Sequence, residues 1–519
     1  MAESRFIFDS ADEAATARLA AWLGAALDAP ALIFLNGDLG AGKTAFARGF
    51  IRALHGQETQ VPSPTFALVQ PYDGPPAILH ADLYRLGAAE ELDELGIMDA
   101  LADHICLIEW AQNGAGILPA PDINIHLAAN DAPTGEKSAD DAKTDNESRI
   151  ITITAAPQIC AQIEKAAARD AALSAFLAAT DWHAARRAPL AGDASTRRYE
   201  RLHLEQAPKP QSAVLMDWQK TPDGPAVYDG KPYSQVAHLA EAMPRFADMV
   251  GWLRQSGLAA PQLYALDRDA GFALLEDFGD RTIAANSGLD KAVFYFEAVE
   301  TLLHLHAQEP PDFLPAYDGA VQAIEASLFT DWYLPYCGIT PSEAAKAEWH
   351  EIWQELGASL MDVPPVTVLR DYHCVNLIWR DHAQARHRIG LIDVQDALQG
   401  HAAYDLASLL YDARLDVAAP HRDAALAHYL TRRFGDDKKA RARFGEALAI
   451  CTMQRNLKIA GIFIRLAQRD AKPAYLAHMP RIIGYLKAQL EVPCLKPIAD
   501  WLHAHAPHAL NPSILDRDA

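Results

Sequence analysis

Two stretches of this sequence have the residue types and spacing to handle phosphate. Gly37-Asp38-Leu39-Gly40-Ala41-Gly42-Lys43-Thr44 fits the pattern G-x-x-x-x-G-K-[ST]. In that pattern the backbone N–H groups of a glycine-rich turn, here carrying Gly37, Gly40 and Gly42, wrap phosphate oxygens. Lys43 then reaches the β- and γ-phosphates and the Thr44 hydroxyl holds Mg²⁺. Arg370-Asp371-Tyr372-His373-Cys374-Val375-Asn376 fits R-D-x-x-x-x-N. There Asp371 takes the proton of an attacking hydroxyl and Asn376 holds Mg²⁺. Asp393, which follows the apolar run Ile389-Gly390-Leu391-Ile392, supplies a second metal ligand. Metal-bridged phosphoryl transfer needs this division, with one carboxylate free as base and another on the cation.

For the first stretch to work, a strand must deliver the chain into a helix N-terminus. Ala31-Leu32-Ile33-Phe34-Leu35 reads as that strand, and Ala45 to Leu54 as the helix. Upstream, Ser10-Ala11-Asp12-Glu13 has the form of a capping box with Ser10 as N-cap. Behind it Leu19, Trp22, Leu23 and Leu27 share one helical face, which Pro30 ends. Further apolar runs at 77–79, 105–108, 123–127 and 150–154 complete a small α/β domain with a central sheet. Two of these runs deliver acids where they end, Asp82 and Glu109. A carboxylate beyond a strand's C-terminal end can hold Mg²⁺ through water or orient an attacking water. The competing readings are a helix N-cap for Asp82 and an exposed strand end for Glu109.

Four signatures in order resemble the TsaE family: Gly37–Thr44, Ser63-Pro64-Thr65-Phe66, His80-Ala81-Asp82-Leu83-Tyr84-Arg85-Leu86 and Ile108-Glu109-Trp110. The resemblance implies an α/β P-loop NTPase domain, an ATPase serving the machinery that makes N6-threonylcarbamoyladenosine in tRNA. Its implied partners are the TsaB and TsaD subunits, with hydrolysis dependent on the assembled complex. It further implies that Lys43 and Thr44 bind phosphate and Mg²⁺, that Glu109 helps to coordinate the metal and that Asp82 serves hydrolysis. Trp110 is implied beside the nucleotide or the partner. One departure is the stretch 130–148, nearly devoid of large apolar residues, which reads as a disordered hairpin insertion away from the active site.

Beyond Pro157 an alanine-rich segment reads as a helix opening the second domain. Strand-like alternation then surrounds the small-residue turn Gly192-Asp193-Ala194-Ser195-Thr196, followed by Arg197 and Arg198. Two strands around such a turn could lie over ATP phosphates, or form a plain hairpin. Ala213-Val214-Leu215-Met216 reads as a further strand, and Leu274-Leu275-Glu276-Asp277 as one running into a hinge where backbone groups could meet adenine. Asp277-Phe278-Gly279 spells a metal-binding motif, but that aspartate must follow the catalytic loop in the chain, so Asp393 takes the role. His304 and His306 read as core or interface histidines, and His373 as structural. Asp405 reads as the N-cap of a helix carrying Leu406, Leu409 and Leu410. Amphipathic helices are expected over 420–505.

This half resembles the aminoglycoside-phosphotransferase-like kinases, and within them the AmgK group of cell-wall sugar kinases. The residues that carry the resemblance include Gly192 to Tyr199, Leu275 to Asp280 and Leu369 to His373. Further on they are Ile392 to Asp396, Tyr404 to Leu410 and Gln454-Arg455-Asn456-Leu457-Lys458. The resemblance implies a two-lobed α+β protein-kinase-like fold and ATP-dependent phosphorylation of the anomeric hydroxyl of N-acetylmuramate and N-acetylglucosamine. Gly192, Ser195 and Arg197 would face ATP. Two departures stand out. Leu369 replaces a common histidine, and the strand Val214-Leu215-Met216-Asp217 carries no lysine, which leaves Arg197 or Arg198 to grip the phosphates.

At 519 residues the chain exceeds one ordinary core. Domains are expected at 1–157 and 160–519. A net charge of −22 argues against a protein held on nucleic acid by general electrostatics. The six cysteines are scattered without a C-x-x-C pair, as expected of thiols in a reducing compartment. No basic segment followed by an apolar core opens the sequence, and no apolar run approaches the ~20 residues that span a bilayer. A cytoplasmic fusion of an ATPase and an amino-sugar kinase is therefore expected, using ATP and Mg²⁺. The alternatives are another small alcohol as kinase substrate (aminoglycoside, choline or homoserine type), or one half serving only as a nucleotide-binding scaffold.

Overall fold

The computed structural model describes residues 3–511 apart from 28–29, 88–90, 93, 131–147, 191–196, 206–210, 221–225, 229, 286–287 and 471. The turn with Gly192 and Ser195, and all of the expected insertion except its two end residues, lie outside the described residues. The chain divides into two compact units, Met1–Ala175 and Phe176–Ala519.

In the first unit the elements run β1 (Ser4–Ser10), α1 (Glu13–Ala25), β2 (Ala31–Asn36), α2 (Lys43–His55), β3 (Val69–Tyr72) and β4 (Ile78–Asp82). They continue with α3 (Ile97–Ala100), β5 (Ile105–Glu109), β6 (Ile123–Ala129), β7 (Arg149–Ala155) and α4 (Pro157–Ala178). One seven-stranded sheet has the order β1-β7-β6-β2-β5-β4-β3. Strands β6, β2, β5 and β4 are parallel neighbours. Because both faces of β4 and β5 are covered, every residue of each is buried, which explains the apolar runs Ile78-Leu79 and Ile105 to Ile108 within them. Leu19 and Leu23 of α1 bury fully against this core, with Trp22 packed at its edge on Phe8.

The capping box is corrected by two residues. Asp12, not Ser10, is the N-cap of α1, and its carboxylate accepts from the Ala15 N–H at 2.6 Å. Ser10 is the last residue of β1 and turns its hydroxyl to Thr16, while Glu13 pairs with Arg48. Helix α4 begins in the first unit, where Cys160 and Ile163 bury against the sheet core, and its last residues fall in the second.

The second unit opens with β8 (Arg186–Leu190), β9 (Arg198–His203), β10 (Ser212–Asp217), β11 (Ala226–Tyr228), β12 (Lys231–Pro232), α5 (Tyr233–Val236) and α6 (Met243–Gln255). Strands β13 (Leu263–Asp267) and β14 (Phe272–Glu276) complete an antiparallel five-stranded sheet of order β13-β14-β10-β9-β8. Strand β14 then leads into a helical body. That body holds α7 (Lys291–Leu305), α8 (Gly319–Leu328), α9 (Leu334–Tyr336), α10 (Glu343–Ser359), β15 (Val366–Val368), β16 (Leu377–Trp379), β17 (Ile389–Leu391) and β18 (Leu398–Gly400). It ends with α11 (Ala403–Leu410), α12 (Ala419–Phe434), α13 (Lys438–Gln468), α14 (Met479–Gln489) and α15 (Lys496–His505). Sheet lobe and helical lobe make a kinase-like α+β fold.

Helix α13 is long and apolar enough to cross a membrane by length and composition alone, although Arg455 and Lys458 break its apolar sequence. It is instead the central helix of this lobe, with 94% of that stretch buried. Alternation of Phe, Leu and Ile with Arg455 and Lys458 hides the pattern in sequence, because those cations are themselves turned inward.

Candidate active sites

In the first unit β2 delivers the chain into the phosphate loop and α2 leaves it. Gly37, Gly40 and Gly42 have φ of 144°, 78° and 100°, in the region that favours glycine. Gly37 has a second reason, since a Cβ there would sit 2.3 Å from the Leu127 carbonyl oxygen. Lys43 is buried, and its Nζ donates to the Gly37 and Asp38 carbonyls at 2.8 Å each. Burial pulls its ammonium below the ordinary value, against the opposing pull of Glu109, Asp82 and Asp38.

The two strand-end acids meet this loop. Strands β4 and β5 are parallel neighbours in register, so Asp82 and Glu109 stand side by side at their C-terminal ends. Glu109 is only 2% exposed, which removes the reading of a solvated strand end. Its carboxylate accepts from the Thr44 hydroxyl at 2.9 and 3.2 Å and lies 3.0 Å from His80 Nε2. Asp82 takes the capping role weighed for it and makes a further side-chain contact. It caps the short turn Leu83–Arg85 through the Tyr84 N–H at 3.0 Å, and it accepts from Thr65 at 2.9 Å. Trp110, at a left-handed φ of 58°, lays its ring 4.0 Å from Lys43 Nζ. A hydroxyl and a carboxylate together suit a hard cation, and a lysine poised on the loop's own carbonyls suits a polyphosphate. These residues fit Mg²⁺ and ATP. Sequence reasoning missed Arg149 on β7, whose guanidinium reaches the Ala41 and Gly40 carbonyls at 3.2 and 3.4 Å. Those contacts join residues over a hundred positions apart in the chain.

In the second unit the catalytic-loop pattern spans Leu369 to Asn376 between β15 and β16. Its carboxylate, Asp371, is partly open, with 36% of the side chain exposed. Burial would raise its carboxyl, but Arg455, with Lys458 and Arg370 behind it, prevails and holds it well below the usual carboxylate range. Arg455 Nη2 stands 3.4 Å from Asp371 Oδ1. Strands β16 and β17 pair with Leu377 opposite Leu391, which sets Asn376 and Asp393 at the same end of that hairpin. The Asn376 amide donates to the Asp371 carbonyl at 3.1 Å, which leaves its amide oxygen to serve as a ligand. Asp393 sits at a left-handed φ of 58° and accepts from Gln395 at 3.0 Å.

Of the two arginines weighed for the phosphates, Arg197 lies 2.8 Å from Asp393 Oδ1, whereas Arg198 is exposed. A carboxylate, an amide oxygen and a guanidinium at one end of the site fit a magnesium polyphosphate. Asp277 is occupied elsewhere, by Arg201 at 2.8 Å and by the Gly279 N–H at 2.9 Å.

Asp405 is corrected. Ala402 is the N-cap of α11, and Asp405 lies fully buried within its first turn. Its two oxygens accept the N–H groups of Leu369 and Arg370 at 2.7 and 2.9 Å. The acid therefore braces the catalytic loop, because Arg370 has a left-handed φ of 65° and its N–H needs an acceptor there. His306 is a core histidine, 2.8 Å from the Tyr429 hydroxyl. Burial, with Arg414 beside it, pushes His373 down to about 4, so it stays neutral at physiological pH, as a structural residue would.

Sequence reasoning also missed Glu325 on α8. It is fully buried between Arg370, Tyr317, Gln454 and Lys458, and so links the catalytic loop to α13.

Comparison with known proteins decides the families. The family model for threonylcarbamoyl adenosine biosynthesis protein TsaE matches residues 10–138, and that of the phosphotransferase enzyme family matches 186–444. A TsaE protein of Rickettsia bellii is 42% identical over 128 residues, 24% of this chain and 88% of its own length. An N-acetylmuramate/N-acetylglucosamine kinase of Caulobacter vibrioides is 36% identical over 360 residues, 65% of this chain and 97% of its own. The chain belongs to both families. A second such kinase, from Pseudomonas aeruginosa, is 33% identical over 304 residues, 58% of this chain and 82% of its own. The first unit is thus a TsaE-family ATPase and the second an ATP-dependent kinase.

Proposed function

We propose that the kinase unit phosphorylates the anomeric hydroxyl of N-acetylmuramate and N-acetylglucosamine. The observation that carries this is the ionised Asp371, open at one side and flanked by Asn376 and Asp393. The sugar hydroxyl lies against Asp371 and gives it the proton as its oxygen bonds the γ-phosphorus. The bond from that phosphorus to the β–γ bridging oxygen breaks, and ADP leaves. A carboxylate held this acidic is a weak base, so it orients the hydroxyl and takes the proton late, as a loose transition state allows. Arg197 and Asp393 face the phosphates. Magnesium held by Asn376 and Asp393 supplies the charge that offsets the transferring phosphoryl group.

A panel of both amino sugars, aminoglycosides and choline, with the phosphate located by NMR, tests the reading. We expect C1-phosphate on the amino sugars, with the Asp371→Asn variant reduced about a thousandfold or more. Phosphate on any other carbon would sink the anomeric assignment.

For the TsaE unit we propose ATP hydrolysis in support of threonylcarbamoyladenosine formation in tRNA, with TsaB and TsaD as partners. Lys43 and the loop glycines hold the phosphates, Thr44 and Glu109 the magnesium, and Asp82 orients the attacking water. The Thr44–Glu109 contact supports this set. Weak ATPase of the chain carrying Asp371→Asn should rise on adding TsaB and TsaD. A rate indifferent to both would overturn the partner assignment. We propose that both act in a reducing compartment, the cytoplasm, a reading supported by the six free thiols.

A further inference from the structure

His80 on β4 is wholly buried and has no part in the hydrolysis assigned above to Lys43, Thr44, Glu109 and Asp82. Its strand neighbours Ile78, Leu79 and Ala81 are apolar and buried as well. A polar side chain drawn out of water costs stability unless its polar atoms are matched. This ring matches only one. Nε2 lies 3.0 Å from Glu109 Oε1, while Nδ1 is buried without a hydrogen-bond partner among the described residues. A carboxylate oxygen can only accept, so Nε2 carries the proton and donates it. An aliphatic side chain could fill the same space without an unmatched nitrogen, so packing does not account for the histidine.

The strand register dictates the contact. Strands β4 and β5 are parallel, with His80 opposite Leu107 and Asp82 opposite Glu109. Alternate residues share a sheet face, so His80, Asp82 and Glu109 lie on the face where Ile78 and Leu107 join the core of α1 and α2. His80 therefore reaches diagonally along the partner strand to Glu109. The carboxylate is held from two sides. From α2 the Thr44 hydroxyl donates to its oxygens at 2.9 and 3.2 Å, and from β4 His80 holds Oε1. Thr44 is itself assigned to the cation, so the hold that stays independent of the cation is His80.

We propose that His80 is a positioning residue, whose Nε2–H pins the Glu109 carboxylate against rotation and so sets the site's affinity for the divalent cation that accompanies the nucleotide. The proposal rests on the reading of Glu109 as a metal ligand of the TsaE unit. A carboxylate pinned in advance loses less freedom when it takes a cation. Groups that orient metal ligands in this way are worth about 10–100-fold in metal affinity. Nucleotide affinity without the cation does not depend on them, because Lys43 and the loop glycines meet the phosphates directly.

The test uses the full chain carrying Asp393→Asn, which removes the metal carboxylate of the kinase unit. It is titrated calorimetrically with a non-hydrolysable ATP analogue, once in Mg²⁺ and once in EDTA, and the binding lost in Lys43→Ala identifies the first unit's site. His80→Leu should reduce the gain in affinity that Mg²⁺ brings about tenfold or more and leave affinity in EDTA unchanged. His80→Gln, whose amide can donate from near the place of Nε2, should keep most of the gain. His80→Asn, whose amide reaches only as far as Nδ1, should lose it, and this polar pair decides the matter if the leucine variant does not fold. Added to Glu109→Ala, loss of the His80 donor should cost nothing further. An unchanged magnesium gain, equal losses in Mg²⁺ and EDTA, or full additivity with Glu109→Ala overturns the assignment and leaves the nucleotide site standing. A Glu109→Ala chain that keeps the whole magnesium gain removes the reading of Glu109 and the proposal with it.

Discussion

Glu325 shows how much of this kinase rests on single buried charges. Burial would raise its carboxyl, but Arg370 and Lys458, with hydrogen bonds from Tyr317 and Gln454, hold it down to about 2 from the ordinary 4.5. The folded-state value is depressed, so the stabilisation is fully present above pH 4.5 and is lost as pH falls through about 2. Glu325→Gln leaves Arg370 and Lys458 without their anion, and we expect it to cost about 3 kcal/mol or more at neutral pH. The gap between wild type and variant in urea denaturation should narrow as the pH is lowered below 4.5. A gap that is constant across that range would refute the linkage. In sequence Glu325 was illegible, because an acid in Ala-Ile-Glu-Ala-Ser reads as one more solvated helix position. Its partner Arg370 lies 45 residues further on, and only the fold joins them.

At the scale of elements, legibility followed locality. The strand, glycine loop and helix around Lys43 were readable because all their parts are contiguous, and the ends of β4 and β5 because each buried parallel strand begins with an apolar run. Ser10 misled because the capping pattern matched a strand's last residue. Asp405 misled because a local preference for helix N-caps lost to the demand of two N–H groups more than thirty residues away. The crossing of α8 and α13 was also hidden. Gly461 lets the two helices approach so closely that a Cβ there would lie 2.2 Å from the Leu328 carbonyl oxygen. Gly461→Ala must therefore push α8 from α13, and with it Glu325 from Lys458. We expect a loss of about 1–3 kcal/mol in stability, with a lower kcat for the sugar. Thermal unfolding identical to wild type would show that the crossing has slack.

For the whole molecule, we propose two unrelated phosphate-handling centres, one on Lys43, Glu109 and Asp82, the other on Asp371, Asn376 and Asp393. Calorimetric titration with a non-hydrolysable ATP analogue and Mg²⁺ should therefore find two nucleotides per chain, and one in Lys43→Ala. A single site in the wild type would mean that one centre does not take nucleotide. Helix α4 gives the pairing a consequence for the cell. It runs without interruption from Pro157 to Ala178, across the divide at Ala175, so the two catalysts are made, and destroyed, as one polypeptide. Their dosage is fixed at one to one, whatever the demand for either. A destabilising change such as Gly461→Ala exposes the whole chain to proteolysis and lowers the abundance of the ATPase as well. Alleles that map to the kinase half would then carry a phenotype belonging to the other half, although Lys43, Asp82 and Glu109 remain untouched.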